Sequence, residues 1–359
     1  MTTYLLYISS PILIAFFTKL LTNKSVNQNH KIRQIYILLC GFTIAFMVGF
    51  RHYSNGSTDS LYYYENWDIM SSLSFSRLPF FLENIDMEKG YLFSVWFFSH
   101  IFNEPQFLFI LSGIFFAFSV SYFIDKNCDN VVLGFLIFNC LGLFNFMVQG
   151  LRQAIAMCIC LFAIEKCKKN QFISFSILVF LASLFHASAY AFFIMYLISK
   201  LKINIKGITL FVCAAIASLI SLDYIFDIMN NFIADEYSIG STLNDGSGYI
   251  TILINLSVIL AGLLLYNSKK SDSTYNIFFY MCCVTLTTLI LRNTVNNIAE
   301  RISHYFSFGI MILIPACIKN IDDDKVKLFV NILIAMLLMA VAFHKATYSS
   351  LIPYKFFWQ

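Results

Sequence analysis

Apolar residues run through this chain in long blocks separated by short polar connectors. About 20 apolar residues suffice for a helix to cross a bilayer, and fewer where helices are broken or buried in protein. The pattern predicts twelve membrane-embedded segments: 4–21, 34–50, 106–124, 131–147, 151–164, 172–185, 187–199, 208–224, 249–266, 275–291, 303–318 and 328–344. The apolar run 91–102 is short and meets Asn103-Glu104-Pro105. Proline disfavours helix before it, so this run reads as an interfacial or re-entrant helix. The expected fold is all-α: a polytopic integral membrane helical bundle, with residues 1–359 forming a single transmembrane domain. Sizeable loops fall at about 51–105, 225–248 and 292–302.

Composition agrees with the pattern. Of 359 residues 59% are hydrophobic and 12% charged, against about 25% charged in soluble domains. There is no room for a large soluble domain. Forty Phe and twenty Tyr suit lipid-facing helices and interfacial belts. Residues 1–21 lack the basic start of a signal peptide and read as a retained span. The ten cysteines lie mostly in apolar runs without a CxxC pair, which predicts free, buried thiols and no metal site. No GxxxxGK[ST] occurs, so ATP-driven transport by this chain is not expected. Asp322-Asp323-Asp324, beside Lys325 and Lys327, reads as a solvated turn with a helix N-cap. No long internal repeat is visible, which argues against an inverted-repeat transporter.

Charge orients the segments. The twelve-segment topology places sixteen of the 24 basic residues on one side, which the positive-inside rule makes cytoplasmic, with both termini outside. The lysines dominate that side, whereas Arg51, Arg77, Arg152, Arg292 and Arg301 fall on the outer side. The inside rule does not separate Lys from Arg. A guanidinium grips phosphate with a rigid fork, so outer arginines at segment ends suggest an anionic ligand, although five residues are a small sample.

Two polar residues sit where apolar ones are expected. Arg152 falls inside FNFMVQGLRQAIAMCICLFAI, where a guanidinium costs roughly 2.5–3.5 kcal/mol on insertion scales. It reads as an anion site lining a wet cavity, or as an arginine snorkelling to the interface or paired with a structural carboxylate. His186 lies in LFHASAY, where 172–199, bounded by lysines, must reverse within the membrane. Such a reversal is tolerated where it is buried in protein or faces water, and a capping histidine is the simpler alternative. The outer segments RHYSNGSTDSLYYYENWD and RNTVNNIAER are rich in the aromatic, amide and acidic groups that line sugar sites. An interfacial aromatic belt would look similar.

In chain order the residues run GFRHYSNGSTDSLYY, EKGY, QGLRQAIAM, LFHASA, ERISHYF and a terminal PYKFF. This series resembles the EpsG-like branch of Wzy-type polysaccharide polymerases, which includes O-antigen polymerases. The family's R-x-G-x-D-Y form is looser here, with Arg51 and Asp59 eight apart. The resemblance implies a GT-C-like bundle in the bacterial inner membrane, with its active site facing the periplasm. It implies polymerisation of undecaprenyl-diphosphate-linked repeat units. An acceptor hydroxyl attacks the donor's anomeric carbon and undecaprenyl diphosphate leaves. Cations must neutralise the diphosphate, a base or acceptor must orient the hydroxyl, and an apolar groove must hold the polyprenyl chain. Arg152, Arg51, Arg301 and Arg292 are the candidates for diphosphate. His186 is the candidate base or orienting group, with Asp59, Glu88 and Glu300 as rivals, and Tyr63, Trp67, Gln153 and His304 are candidates for glycan. The expected partners are the lipid-linked donor and acceptor, membrane lipid and a polysaccharide chain-length regulator, with no nucleic acid, metal or cofactor. A lipid-linked oligosaccharide flippase, or a ligase or acyltransferase acting on outer-face glycans, is the alternative.

Overall fold

Helices form where the apolar blocks lie, and polar residues at their ends stop them. The computed structural model describes residues 1–55, 58–85, 87–220, 247–267, 273–295, 297–349 and 351–359. The expected connector 225–248 falls almost wholly outside these residues. The first half of the chain contains α1 (Thr2–Thr22), α2 (His30–Gly49), α3 (Thr58–Ser71), α4 (Leu78–Asn84), α5 (Lys89–Ser99), α6 (Gln106–Asn127), α7 (Val131–Cys140), α8 (Leu143–Gln149) and α9 (Leu151–Lys168). Then come α10 (Phe172–Ser183), a 3-10 helix Ala187–Phe193, α11 (Ile194–Ile198), α12 (Ile205–Ile220), α13 (Ser247–Leu264), α14 (Ser273–Val295), α15 (Asn297–Phe306), a 3-10 turn Ser307–Gly309, α16 (Ile310–Lys319) and α17 (Asp324–Thr347). Side-chain caps mark three of the starts. Asn29 accepts from Ile32 N–H at 3.2 Å and Asn130 from Leu133 N–H at 3.3 Å. Asp323 accepts from Lys325 and Val326 N–H at 2.7 and 3.1 Å, so the Asp322–Asp324 run does contain a helix cap.

The protein is an integral multi-pass membrane protein, but with fewer spans than twelve. Among the described residues six helical stretches are long and apolar enough to cross, or seven if the pair α7–α8, bent by 53°, is one span. Counting each apolar block as a crossing overestimated the number because many blocks fold as short helices. The twelve residues of α10 rise about 18 Å, against a hydrocarbon core of about 30 Å. The loops at 51–105 and 292–302 are also corrected. The first contains α3, α4 and α5, and helix occupies the second on both sides of residue 296.

The bundle has two chemically different ends. At one, Arg33 binds Asp125 at 3.0 Å, Lys319 binds Asp129 at 2.8 Å, and Lys168 binds Asn127 at 2.7 Å and Glu165 at 3.2 Å. At the other lie Arg51, Arg152 and Arg301. Between the ends a continuous core contains Tyr36, Phe116, Phe123, Phe135, Phe138 and Phe278, all fully buried or nearly so. Exposed Phe16, Phe17, Leu38, Phe42 and Phe118 clothe the outside, as a lipid-facing surface requires. All ten cysteines are free and most are buried.

The terminal PYKFF segment closes the arginine end. Phe357 N–H donates to Phe50 O at 3.0 Å and His52 N–H to Lys355 O at 2.9 Å, an antiparallel pairing around Arg51 and Phe356. Asn55 clamps it, its Nδ2 donating to Lys355 O and its Oδ1 accepting from Lys355 N–H at 3.1 Å. Tyr354 donates to Met47 O. Asn55→Leu should orphan the Lys355 N–H, at about 1–3 kcal/mol, while Lys355 O keeps its bond from His52 N–H. We expect a lower melting temperature in detergent with the helical circular dichroism unchanged. An unshifted melting temperature would show that the clamp carries no stability.

Candidate functional site

At the arginine end α3, α8, α9, the His186 reversal and α15 converge on a cavity of about 180 Å³ lined by Tyr63, Phe146, Gln149, Gly150, Arg152, Gln153, His186 and Arg301. Arg152 was expected in mid-span. The helix instead breaks at Gly150, so Arg152 occupies the first turn of α9. That position is electrostatically poor for a cation, because the helix N-terminus is itself positive. Glu88 offsets this. Its Oε2 pairs with Arg152 Nη1, and its Oε1 accepts from Ala187 N–H at 3.2 Å. Arg152 Nε also lies 3.4 Å from Tyr63 Oη.

The EKGY segment is therefore docked on the LFHASA turn. Gly90 N–H donates to Leu184 O at 2.9 Å. A Cβ at Gly90 would stand 2.7 Å from both Leu184 O and Leu184 Cβ, so only glycine allows this approach. Tyr91, almost fully buried, packs on Tyr63 with ring centroids 5.4 Å apart.

The chain reverses at His186, immediately before the 3-10 helix Ala187–Phe193. Its Nε2 is 3.0 Å from Arg301 Nη1, and its Nδ1 is 2.7 Å from Ser188 Oγ. A guanidinium only donates, so Nε2 is the acceptor and the single imidazole proton sits on Nδ1, donating to Ser188. The 3.3 Å approach of Ser188 N–H to Nδ1 is then a close turn contact rather than a bond. Ser188 Oγ continues to Tyr305 Oη at 3.1 Å, and Gln153 Nε2 donates to Arg301 O at 2.6 Å. His186 lies in the break between helices. Burial, then the charges of Arg301 and Arg152, push its pKa down to about 3. The imidazole is neutral and its Nε2 lone pair faces a cation.

The structure thus brings together Arg152, Arg301, Glu88, His186, Gln153 and Tyr63, from segments up to 238 residues apart in sequence. It separates others from them. Arg51 is fully buried, with Nη1 donating to Val148 O and, at 3.2 Å, to Asn55 O, and with its guanidinium 4.3 Å from the Phe109 ring centroid. Trp67 is also fully buried, so no sugar can stack on it in this arrangement. Glu300 and His304 line a second cavity instead. Asp59 lies on α3 and Arg292 on α14, with side chains outside the described residues. Ser188, Tyr305, Gly90 and Phe146 were not anticipated. For Tyr305 there was a signal: Arg301 and Tyr305 are four apart in ERISHYF and so share a helix face.

Among the described residues this cluster holds two guanidiniums and one carboxylate, Glu88. The N-terminus of α9 adds its own positive field, so the arrangement suits an anion. The sequence matches the EpsG family over residues 34–356. No curated protein and no solved structure matches it. The match spans most of the chain and includes every residue of the cavity, and the protein therefore belongs to the EpsG family, which is linked to polysaccharide synthesis.

Proposed function

We propose that the protein polymerises lipid-linked oligosaccharide repeat units at the outer face of the bacterial inner membrane, with Arg152 and Arg301 holding the diphosphate of the undecaprenyl-linked donor. The observation that carries this reading is that Arg152, held by Glu88, and Arg301, held by His186, line one cavity. In the reaction the acceptor hydroxyl oxygen bonds to the donor's anomeric carbon. The bond from that carbon to the diphosphate oxygen breaks, its electron pair leaves with undecaprenyl diphosphate, and that anion is basic enough to take the hydroxyl proton. Catalysis is then mainly electrostatic: preorganised guanidiniums stabilise charge developing on the leaving group.

Glu88 and His186 are positioning residues in this scheme. Glu88 holds Arg152 and the His186 turn, and His186 holds Arg301 through Nε2. The one accepting nitrogen of His186 is engaged with Arg301, and Glu88 is not among the residues that line the cavity. Gln153, fixing Arg301 through its carbonyl, acts alike. Arg51 supports the site from beneath by tying Val148, just ahead of Gly150, to the 51–55 segment.

Two measurements test the assignment. Arg152→Lys keeps a cation for Glu88 but loses the fork. We expect wild-type abundance, about tenfold weaker binding of undecaprenyl diphosphate in detergent, and little polymer on a glycan gel, as loss of one charge-assisted hydrogen bond predicts. Normal-length polymer from this variant would exclude a fork-type grip. Loss of polymer should leave single repeat units on the lipid core, whereas a flippase defect leaves none there and a ligase defect leaves long chains on undecaprenyl diphosphate.

His186→Gln offers Arg301 an amide oxygen where the imidazole nitrogen stood. We expect substantial turnover in vitro with a defined lipid-linked repeat unit, and large loss in His186→Ala. Because the imidazole stays neutral above about pH 3, the rate of the native protein should show no acid limb from this residue between pH 5 and 8. An acid limb near pH 6.5 that disappears in His186→Gln would identify a general base instead.

A further inference from the structure

We infer that the exposed aromatic face of α5, together with Phe75, is seated in the acyl layer of the leaflet at the arginine end, so that its partner is bilayer lipid. This does not depend on the chemistry proposed above. From Gly90 to Phe102 the chain has no Asp, Glu, Lys or Arg. In α5 Tyr91, Leu92 and Val95 are buried, whereas Phe93 and Phe97 are 48% and 46% exposed. The two phenylalanines are four residues apart and share a face. A helix that is apolar on both faces calls for cover on both. The eleven residues of α5 rise about 16 Å, against a hydrocarbon core of about 30 Å. The helix therefore fits within one leaflet and cannot cross both.

The face continues beyond the helix. By ring centroids Trp96 lies 5.9 Å from Phe93, 5.7 Å from Phe75 and 4.7 Å from His100, and Phe75 is 71% exposed. Polar atoms along the face are turned onto backbone. Trp96 Nε1 donates to Leu73 O at 2.8 Å, Ser99 Oγ to Trp96 O at 2.9 Å, and Ser94 Oγ to Gly90 O. His100 Nδ1 lies 2.8 Å from Trp96 O and, since a carbonyl only accepts, donates to it. Water would satisfy such donors unaided. Lipid cannot, so at membrane depth they must find carbonyls within the protein. The ends of the helix obey the same rule. Gly90 and Tyr91 N–H both donate to Leu184 O, at 2.9 and 3.3 Å, and Phe102 N–H donates to Phe98 O at 2.9 Å.

The side chains on this face select lipid over a second copy of the chain. Helices that pack on one another in a membrane present small residues, which let the backbones approach. The chain's own close pair, α2 with α6, does so through Gly41 and Gly113, where an added Cβ would stand 2.8 Å from Ser121 Oγ and 2.9 Å from Ala45 O. Phe75, Phe93, Trp96 and Phe97 permit no such approach. Acyl chains mould to large ridges, and an indole whose N–H is already bonded suits the aromatic belt near the interface. The seating bears on the arginine cavity because Glu88 is the residue from which α5 starts, and its carboxylate holds both Arg152 and the His186 turn. A helix anchored in lipid thus delivers the carboxylate that fixes Arg152.

Site-directed spin labelling tests the inference. Phe93→Cys and, separately, Phe97→Cys are made in full-length protein carrying Cys213→Ser, because Cys213 is an exposed native thiol. Each is labelled with a nitroxide and reconstituted in phospholipid vesicles, and the signal of the Cys213→Ser protein alone is subtracted. Leu38→Cys, at an exposed position on α2, serves as the lipid reference, and Ser54→Cys, exposed in the segment after α2, as the water reference. Oxygen concentrates among acyl chains, whereas a charged nickel chelate stays in water. Both α5 labels should match Leu38→Cys, with an oxygen-to-nickel collision ratio several-fold above that of Ser54→Cys. Nickel access at either α5 label equal to that at Ser54→Cys overturns the inference in favour of an aqueous face. A label immobilised and shielded from both reagents overturns it in favour of a protein partner, such as a second copy. Phe93→Cys carries the test if Phe97→Cys fails to accumulate.

Discussion

A guanidinium taken from water into a helical bundle calls for partners, and around Arg152 and Arg301 that requirement organises the cavity's surroundings. Arg152 is met by Glu88, and Arg301 by His186. Because Glu88 precedes α5 and His186 sits in the reversal after α10, meeting the two charges draws four distant segments together. Removing one partner of such a part-buried contact leaves the other group's charge uncompensated. The same pairs that make the site positive also fix its shape, so stability and function cannot be separated cleanly at Glu88.

Broken helices are the second consequence. A continuous helix across residues 131–168 would bury Arg152 in mid-membrane. The breaks after Cys140 and at Gly150 instead lift it to a helix start, beside a cavity. The reversal at His186 does the same for its imidazole. Irregular backbone at this depth is admissible because its polar groups find partners: Glu88 for Ala187, Gly90 for Leu184, Ser188 for His186. Shortened helices and the geometry of the cavity thus have one cause, which is also why counting apolar blocks gave too many crossings.

The aromatic content divides into two uses. Phe16, Phe42 and Phe118 face outward. Phe109 and Phe146 instead lie against Arg51 and His304, where a ring face can border a cation or an imidazole without asking for a hydrogen bond. Composition alone cannot separate these uses, since each residue is equally apolar.

Much of this was legible along the chain. The helix positions followed from apolar periodicity, because each helix satisfies its own backbone locally. The importance of Arg152 and His186 was visible as polar residues inside apolar runs. What tertiary structure alone decided is which charges meet. Arg51 and Arg301 look alike in sequence, each at the end of an apolar segment. One is sealed under Phe109 and the PYKFF clamp, and the other lines a cavity beside His186. Glu88 and Glu300 are likewise both outer carboxylates, yet one is held by an arginine and the other borders a different cavity. Contacts between residues a hundred or more positions apart are set by how helices pack, and helix packing depends on side-chain shape in three dimensions, which hydrophobic patterning does not record.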